Sequence, residues 1–220
     1  MTDLTLYIGN KNYSSWSLRP WLALKVAGIS FAERLSRFDE STGHAHFIEF
    51  SPTKKVPTLV IKQDGKEPVT IPESLAILET AADLYPEKNL WPKDQLLRAQ
   101  ARALASEMHA GFMGIRSECP MNIRREVKAI EVSDAVRKDV KRIEQIWSTC
   151  LEQSGGPFLF GHFTIADAMF APVVNRLEIY ELSNHPAISA YSKAMKGLPA
   201  WQEWVTEALK EPWIVEEDEA

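Results

Sequence analysis

Apolar positions change period about a third of the way along the chain. Leu4 to Ile8 is a short run of β-favouring residues, and Phe31 to Leu35 is a second. Between them Leu18, Trp21, Leu22 and Val26 recur at helical spacing until Gly28 stops the run. Thr58 to Ile61 and Val69 to Ile71 flank Gln63-Asp64-Gly65-Lys66, a turn-type spacer, so they read as an antiparallel hairpin. Leu75, Leu78, Ala82 and Tyr85 mark another helix, ended by Pro86. With a helical or looped stretch at residues 42–50, the order is βαβ-α-ββα. Parallel strands need a crossover connection, so the first β-α-β unit predicts a parallel pair to which the hairpin adds antiparallel strands.

From Asp94 onward the strand signal gives way to helical spacing. Asp94 can cap a helix whose apolar positions run through Leu97, Ala101, Leu104, Ala105, Met108 and Phe112. Val136, Val140, Ile143, Trp147, Cys150 and Leu151 define a second long helix, closed by Gly155-Gly156-Pro157. A third starts near Thr164, with shorter ones around 187–197 and 201–210. Trp91-Pro92-Lys93 reads as a linker, and the acidic end from Glu216 to Glu219 as a frayed tail. The expected class is α/β plus all-α, with an α/β domain over residues 1–86 and an all-helical domain over 92–220.

Composition narrows the function classes. The 220 residues are 45% hydrophobic, outside the low-hydrophobicity range of disordered chains. With 25 basic and 30 acidic side chains, nothing supplies the basic face of a general nucleic-acid binder. There is no 18-residue apolar run for a membrane span, and the N-terminus lacks a signal peptide's basic and apolar regions. Cys119 and Cys150 form no CxxC pair and can neither staple a secreted fold nor build a four-cysteine zinc site. The expectation is a soluble, reduced, cytoplasmic protein.

Three junctions could carry chemistry. Asn12-Tyr13-Ser14-Ser15-Trp16-Ser17-Leu18-Arg19-Pro20 joins the first strand to the first helix, with Pro20 placed in the first helical turn. Its serines offer hydroxyls at the positive end of a helix, a place that stabilises an anion; simple N-capping is the alternative. Val56-Pro57-Thr58 precedes the third strand, where X–Pro is the common site of a cis bond and a structural turn is the other reading. Ile71-Pro72-Glu73-Ser74-Leu75 opens the next helix, where Glu73 and Ser74 could hold an amine and a carboxylate, or only cap. Phe163-Thr164-Ile165-Ala166-Asp167 is a capping box and reads as structural. His44 and His46 lack a third ligand for a metal, and no H-E-x-x-H, Walker loop, G-x-G-x-x-G or G-x-S-x-G occurs.

The order and spacing of these junctions carry more than each alone. Ser-Ser-x-Ser-x-Arg after the first strand, Val-Pro-Thr before the third, Glu-Ser-Leu-Ala-Ile after the fourth and the late Thr-x-x-Asp box together resemble the glutathione transferases over essentially the whole chain. Within that family the motif is similar to the zeta-like class, which includes maleylacetoacetate isomerases and carries Ser-Ser-Cys-Ser-x-Arg at this point. The resemblance implies a thioredoxin-like N-terminal domain, a helical C-terminal domain, a homodimer, and glutathione as co-substrate with no metal.

Residue by residue, the resemblance implies that Ser14 donates its hydroxyl to the glutathione sulfur, with Ser15 as a substitute. Val56, before a cis Pro57, pairs with the cysteinyl backbone. Glu73 and Ser74 hold the γ-glutamyl end, and Lys55 and His44 meet the glycyl carboxylate. A glutathione thiol titrates at about 8.5 to 9, and lowering it by about two units needs roughly 2.7 kcal/mol, within reach of one donor plus a helix dipole. The thiolate then attacks a hydrophobic electrophile, with Tyr13, Trp16, Phe112, Met113 and Arg116 as candidates for that pocket. Two departures matter: Trp16 replaces the small cysteine of the isomerase motif, and Tyr13 competes as hydroxyl donor. The alternatives are a glutathione-dependent cis–trans isomerase and a non-catalytic binding module.

Overall fold

The computed structural model describes residues 2–219, apart from the side chain of Glu40. β1 (Thr2–Ile8), α1 (Ser15–Val26) and β2 (Ala32–Leu35) form the first unit. Two short 3-10 turns, Glu40–Thr42 and Ala45–Glu49, lead to β3 (Thr58–Gln63), β4 (Val69–Pro72) and α2 (Ser74–Leu84). The sheet order is β2-β1-β3-β4. β1 runs parallel to β2 with Leu6 opposite Glu33, and antiparallel to β3 with Leu6 opposite Leu59. β4 is antiparallel to β3.

Alternation explains what the sheet buries. Leu4, Leu6 and Ile8 of β1 are buried, as a period of two requires of a strand with one covered face. They join Leu18, Trp21 and Leu22 of α1 and Ile77 and Leu78 of α2 in one core. On the other face Tyr7 stacks on Phe50, ring centroids 4.2 Å apart.

The second half is helical: α3 (Gln95–Ala110), α4 (Met113–Glu118), α5 (Asp134–Ser154), α6 (Ile165–Ile179), α7 (Pro186–Lys196) and α8 (Pro199–Ala208). α6 is mostly apolar and almost wholly buried, with α1, α3 and α7 packed around it. Its capping box is present: the Asp167 carboxylate accepts from the Thr164 amide at 2.8 Å and hydroxyl at 3.0 Å. It also accepts from the Leu159 amide at 3.0 Å and the Tyr191 hydroxyl at 2.9 Å. Burial pushes this carboxyl up to about 6 against the opposing pull of those bonds.

The structure corrects four expectations. The helix expected to run through Phe112 ends at Ala110, where Phe112 at φ +59° turns the chain into the separate α4. Packing of Phe112 on Phe170, 6.1 Å between rings, offsets that costly left-handed backbone. Pro20 lies beyond the first turn of α1, so the Trp16 carbonyl has no helical amide to accept; the Ser74 hydroxyl donates to it instead, at 2.9 Å. The linker is packed: Leu90 and Trp91 are buried, and the Trp91 indole donates to Glu79 at 3.0 Å. The acidic end is not frayed, since Val215 is buried and the segment is hydrogen-bonded across the site. Among the described residues no helix is long and apolar enough to cross a membrane.

Candidate active site

The site is built where β1 ends. Residues 9–14 carry the chain from β1 into α1 through a tight turn, in which the Tyr13 and Ser14 amides both donate to the Asn10 carbonyl, at 3.2 and 2.8 Å. Ser14 occupies the N-cap position but makes no side-chain cap bond. Its hydroxyl donates instead to the Ser17 hydroxyl at 2.8 Å, and Ser17 also accepts from the Gly9 amide at 3.1 Å. Plain N-capping therefore does not account for Ser14.

Two cavities open at this junction. One of about 390 Å³ is lined by Tyr13, Ser14, Ser15 and Trp16 on one side and by His44, Lys55 and Val56 on another. The second, about 550 Å³, lies against Pro57, Glu73, Ser74 and His109. They share Trp16, Lys55 and Val56. The Val56–Pro57 bond is cis. His44 accepts the Asp39 amide at Nδ1, 2.8 Å, so its proton sits on Nε2 and the ring offers a donor. Lys55 is exposed at the cavity edge.

The opening of α2 is capped as well as exposed to the second cavity. Glu73 accepts the Leu75 and Ala76 amides at 2.9 and 3.0 Å, and its backbone holds φ at +81°. That conformation costs a non-glycine residue on the order of 1–3 kcal/mol and marks a constrained position. His109 lies 3.4 Å from the Glu73 carboxylate.

Tyr13 is committed elsewhere. Its hydroxyl donates to the Glu219 carboxylate and accepts from Arg124 Nη2 at 2.8 Å. Burial and the Glu219 bond push its pKa up. Asn122 ties the same segment down, donating from Nδ2 to the Asp218 carbonyl at 3.3 Å and to Glu219 at 3.1 Å. Val215, Glu217 and Asp218 thereby become part of the first cavity's wall.

Of the electrophile-pocket candidates on the helical side, only Arg116 reaches a cavity. Phe112 is in the core and Met113 is 62% exposed, a correction that follows from the chain break at Phe112. Arg116 donates to the Gly111 carbonyl at 2.9 Å and to that of Met108, so the free carbonyls at the end of α3 hold a cation. The guanidinium carbons of Arg19 and Arg116 lie 4.1 and 4.6 Å from the Trp16 ring centre.

Sequence reasoning gave no site role to two cations. Arg176 lines the first cavity and Arg19 lies behind Trp16, both buried. Arg19 Nη1 and Arg176 Nε have no hydrogen-bond partner among the described residues. Burial, then repulsion from Arg116, brings Arg176 down to about 10. Arg19 stands in the Ser-Ser-x-Ser-x-Arg motif, whereas Arg176 is one of several polar residues along the mostly apolar α6. No group of three His, Cys, Asp or Glu side chains among the described residues could hold a metal ion.

Comparison with known proteins follows this geometry. Residues 13–84 match the N-terminal domain of glutathione S-transferases, and residues 130–207 match their C-terminal domain. Maleylacetoacetate isomerase of Rattus norvegicus is 30% identical over 204 residues, covering 90% of this chain and 89% of that one. Glutathione S-transferase Z2 of Arabidopsis thaliana is 28% identical over 214 residues, covering 90% and 91%. The crystal structure of maleylacetoacetate isomerase from Anaeromyxobacter dehalogenans 2CP-1, with glutathione in its active site, superposes with a TM-score of 0.70 at 24% identity, covering 96% of this chain and 97% of that one. With a thioredoxin-like sheet, a helical second half and these matches along both, the chain belongs to the glutathione S-transferase family, in its zeta-like, maleylacetoacetate isomerase-like branch.

Proposed function

We propose that the chain is a glutathione transferase that binds the tripeptide where its two cavities meet and activates the thiol as thiolate. Residues 1–86 form the glutathione-binding unit, and residues 92–220 complete the electrophile pocket. The carrying observation is that Ser14 and Ser15 face the cavity from the N-terminus of α1, while the rival Tyr13 hydroxyl is engaged by Glu219. Ser14 turns its hydroxyl from Ser17 to the sulfur, with Ser15 as its neighbour and substitute. Val56 meets the cysteinyl backbone beside Pro57, Glu73 and Ser74 hold the γ-glutamyl end, and Lys55 and His44 meet the glycyl carboxylate.

The thiol releases its proton to solvent, the sulfur's electron pair forms a bond to an electrophilic carbon, and the leaving group departs with the electrons of the bond that breaks. Trp16, Phe38 and Phe47 give the electrophile an apolar wall. A second reading, addition and release of the thiolate with isomerisation between, is favoured by one observation: Arg116 and Arg176 on the same wall suit an anionic substrate. Assay on maleylacetoacetate separates the two. The family's homodimer and a cytoplasmic setting belong to this reading.

The test is the thiolate absorbance of bound glutathione against pH, for the parent, Ser14→Ala and Ser15→Ala. A lowered thiol pKa that Ser14→Ala restores towards the free value supports the reading. Tight binding without a shift makes the chain a binding module, and no binding sinks the proposal.

A further inference from the structure

Within the turn that carries Ser14, the backbone of Lys11 and Asn12 is held from the helical half of the chain. The Lys11 and Asn12 amides donate to the two oxygens of the Glu211 carboxylate, at 2.7 and 3.1 Å. The Lys11 carbonyl accepts from the Trp204 indole at 3.0 Å, and the Asn12 carbonyl from the Ile123 amide at 3.1 Å. All four main-chain polar groups of these two residues thus find their partners in the helical half. The thioredoxin-like half supplies none of them.

Glu211 is the charged member of that set. It follows α8 and is 8% exposed, so its carboxylate loses hydration, which hydrogen bonds and the nearby charges of Lys11 and Arg124 offset. Lys11 Nζ is taken by Glu33 at 2.8 Å and Glu207 at 3.0 Å, and it lies over Trp21 and Trp204. Arg124, whose Nη1 donates to the Glu211 carbonyl, brings the Asn12 side chain into the same knot, since its own amide donates to Asn12 Oδ1 at 2.9 Å. A carboxylate spanning two consecutive amides fixes the direction of the peptide plane between them. The next residue but one is Ser14.

We infer that Glu211 is a positioning residue for the reaction: it aims the Ser14 hydroxyl by clamping the turn that presents it. The inference rests on the thiol-activating role proposed above for Ser14. Glu211 touches neither cavity's serines nor the groove around Glu73 and Ser74. Its loss should therefore change how well the thiolate is stabilised while leaving the tripeptide's anchoring intact.

The experiment compares the parent with Glu211→Gln and Glu211→Ala, reading the thiol pKa of bound glutathione, kcat and KM for glutathione, and the thermal midpoint. Glutamine keeps one acceptor for the two amides and alanine none, so the thiol pKa should rise stepwise. At a pH between the bound and free thiol values, kcat in Glu211→Ala should fall about tenfold, with KM for glutathione changed less than about twofold. If the alanine variant does not fold, the glutamine variant decides alone. A folded variant with an unchanged thiol pKa overturns the inference. So does a fall in the thiol pKa, the sign expected if the carboxylate acted only through its negative charge. A parent whose bound thiol titrates like free glutathione overturns the Ser14 reading itself, and the inference with it.

Discussion

Replacing Ser17 with alanine should make the protein less stable and its bound thiol more acidic at the same time. Ser17 is fully buried and accepts two hydrogen bonds, from the Gly9 amide at 3.1 Å and the Ser14 hydroxyl at 2.8 Å. Alanine leaves the Gly9 amide buried without an acceptor, at a cost of about 1–3 kcal/mol. Its better helix propensity returns about 0.5 kcal/mol. The net loss of about 0.5–2.5 kcal/mol corresponds to roughly 1–10 °C in Tm for a chain of this size.

For the site the sign reverses. On the role proposed for Ser14, its hydroxyl must give up Ser17 before it can donate to a thiolate. Removing that competitor spares the net worth of one hydrogen bond, about 0.5–1.5 kcal/mol, or roughly 0.4–1 unit of thiol pKa. Urea unfolding measures the first effect, and the thiolate absorbance of bound glutathione measures the second. A thiol pKa that rises in Ser17→Ala, as it should in Ser14→Ala, would refute the reasoning: Ser17 would then be holding the hydroxyl on target and not competing for it.

Three further outcomes are expected. Tyr13→Phe should leave the bound thiol's pKa unchanged, because Glu219 already holds that hydroxyl's proton; a rise would make Tyr13 the sulfur's donor. Cys119 and Cys150 should resist iodoacetamide in the folded protein at pH 7.5. Burial pushes both thiols up to about 11, so the thiol form persists below that value and only about one in 3,000 is thiolate; unfolding should speed labelling roughly a hundredfold. Asp167→Ala strips the acceptor from two amides and two hydroxyls. It should cost about 3–5 kcal/mol in urea unfolding, and a loss under about 1 kcal/mol would show that water replaces the carboxylate.

How much of this was legible depended on the range over which each feature is set. Turns and caps are local, so Gln63-Asp64-Gly65-Lys66 announced the hairpin and Thr164 with Asp167 announced the start of α6. Strand alternation at Leu4, Leu6 and Ile8 is equally local. The break between α3 and α4 was hidden because Met108 and Phe112 keep helical spacing across it, and the left-handed turn is supported by Phe170, remote in sequence. Among the candidate site residues, the junction motifs brought Ser14, Ser15, Val56, Glu73 and Ser74 to the cavity walls. Arg176 did not announce itself, since a charge among apolar helix positions reads as surface until the fold buries it. Nor could spacing reveal that the acidic end packs against Tyr13, because complementarity between Glu219, Arg124 and Asn122 exists only in three dimensions.

The clamp on the turn at Lys11 and Asn12 also has a consequence for the order in which the chain is made. The Lys11 amide and the carboxylate it binds are 200 residues apart. At about 5–20 residues per second, a ribosome delivers the second roughly 10–40 s after the first. For that interval β1 and α1 can pack with β2 and β3, but the Lys11 and Asn12 amides in the turn between β1 and α1 have only water. The N-terminal end of α1, where Ser14 stands, therefore reaches its clamped shape only after α8 and Glu211 have been made.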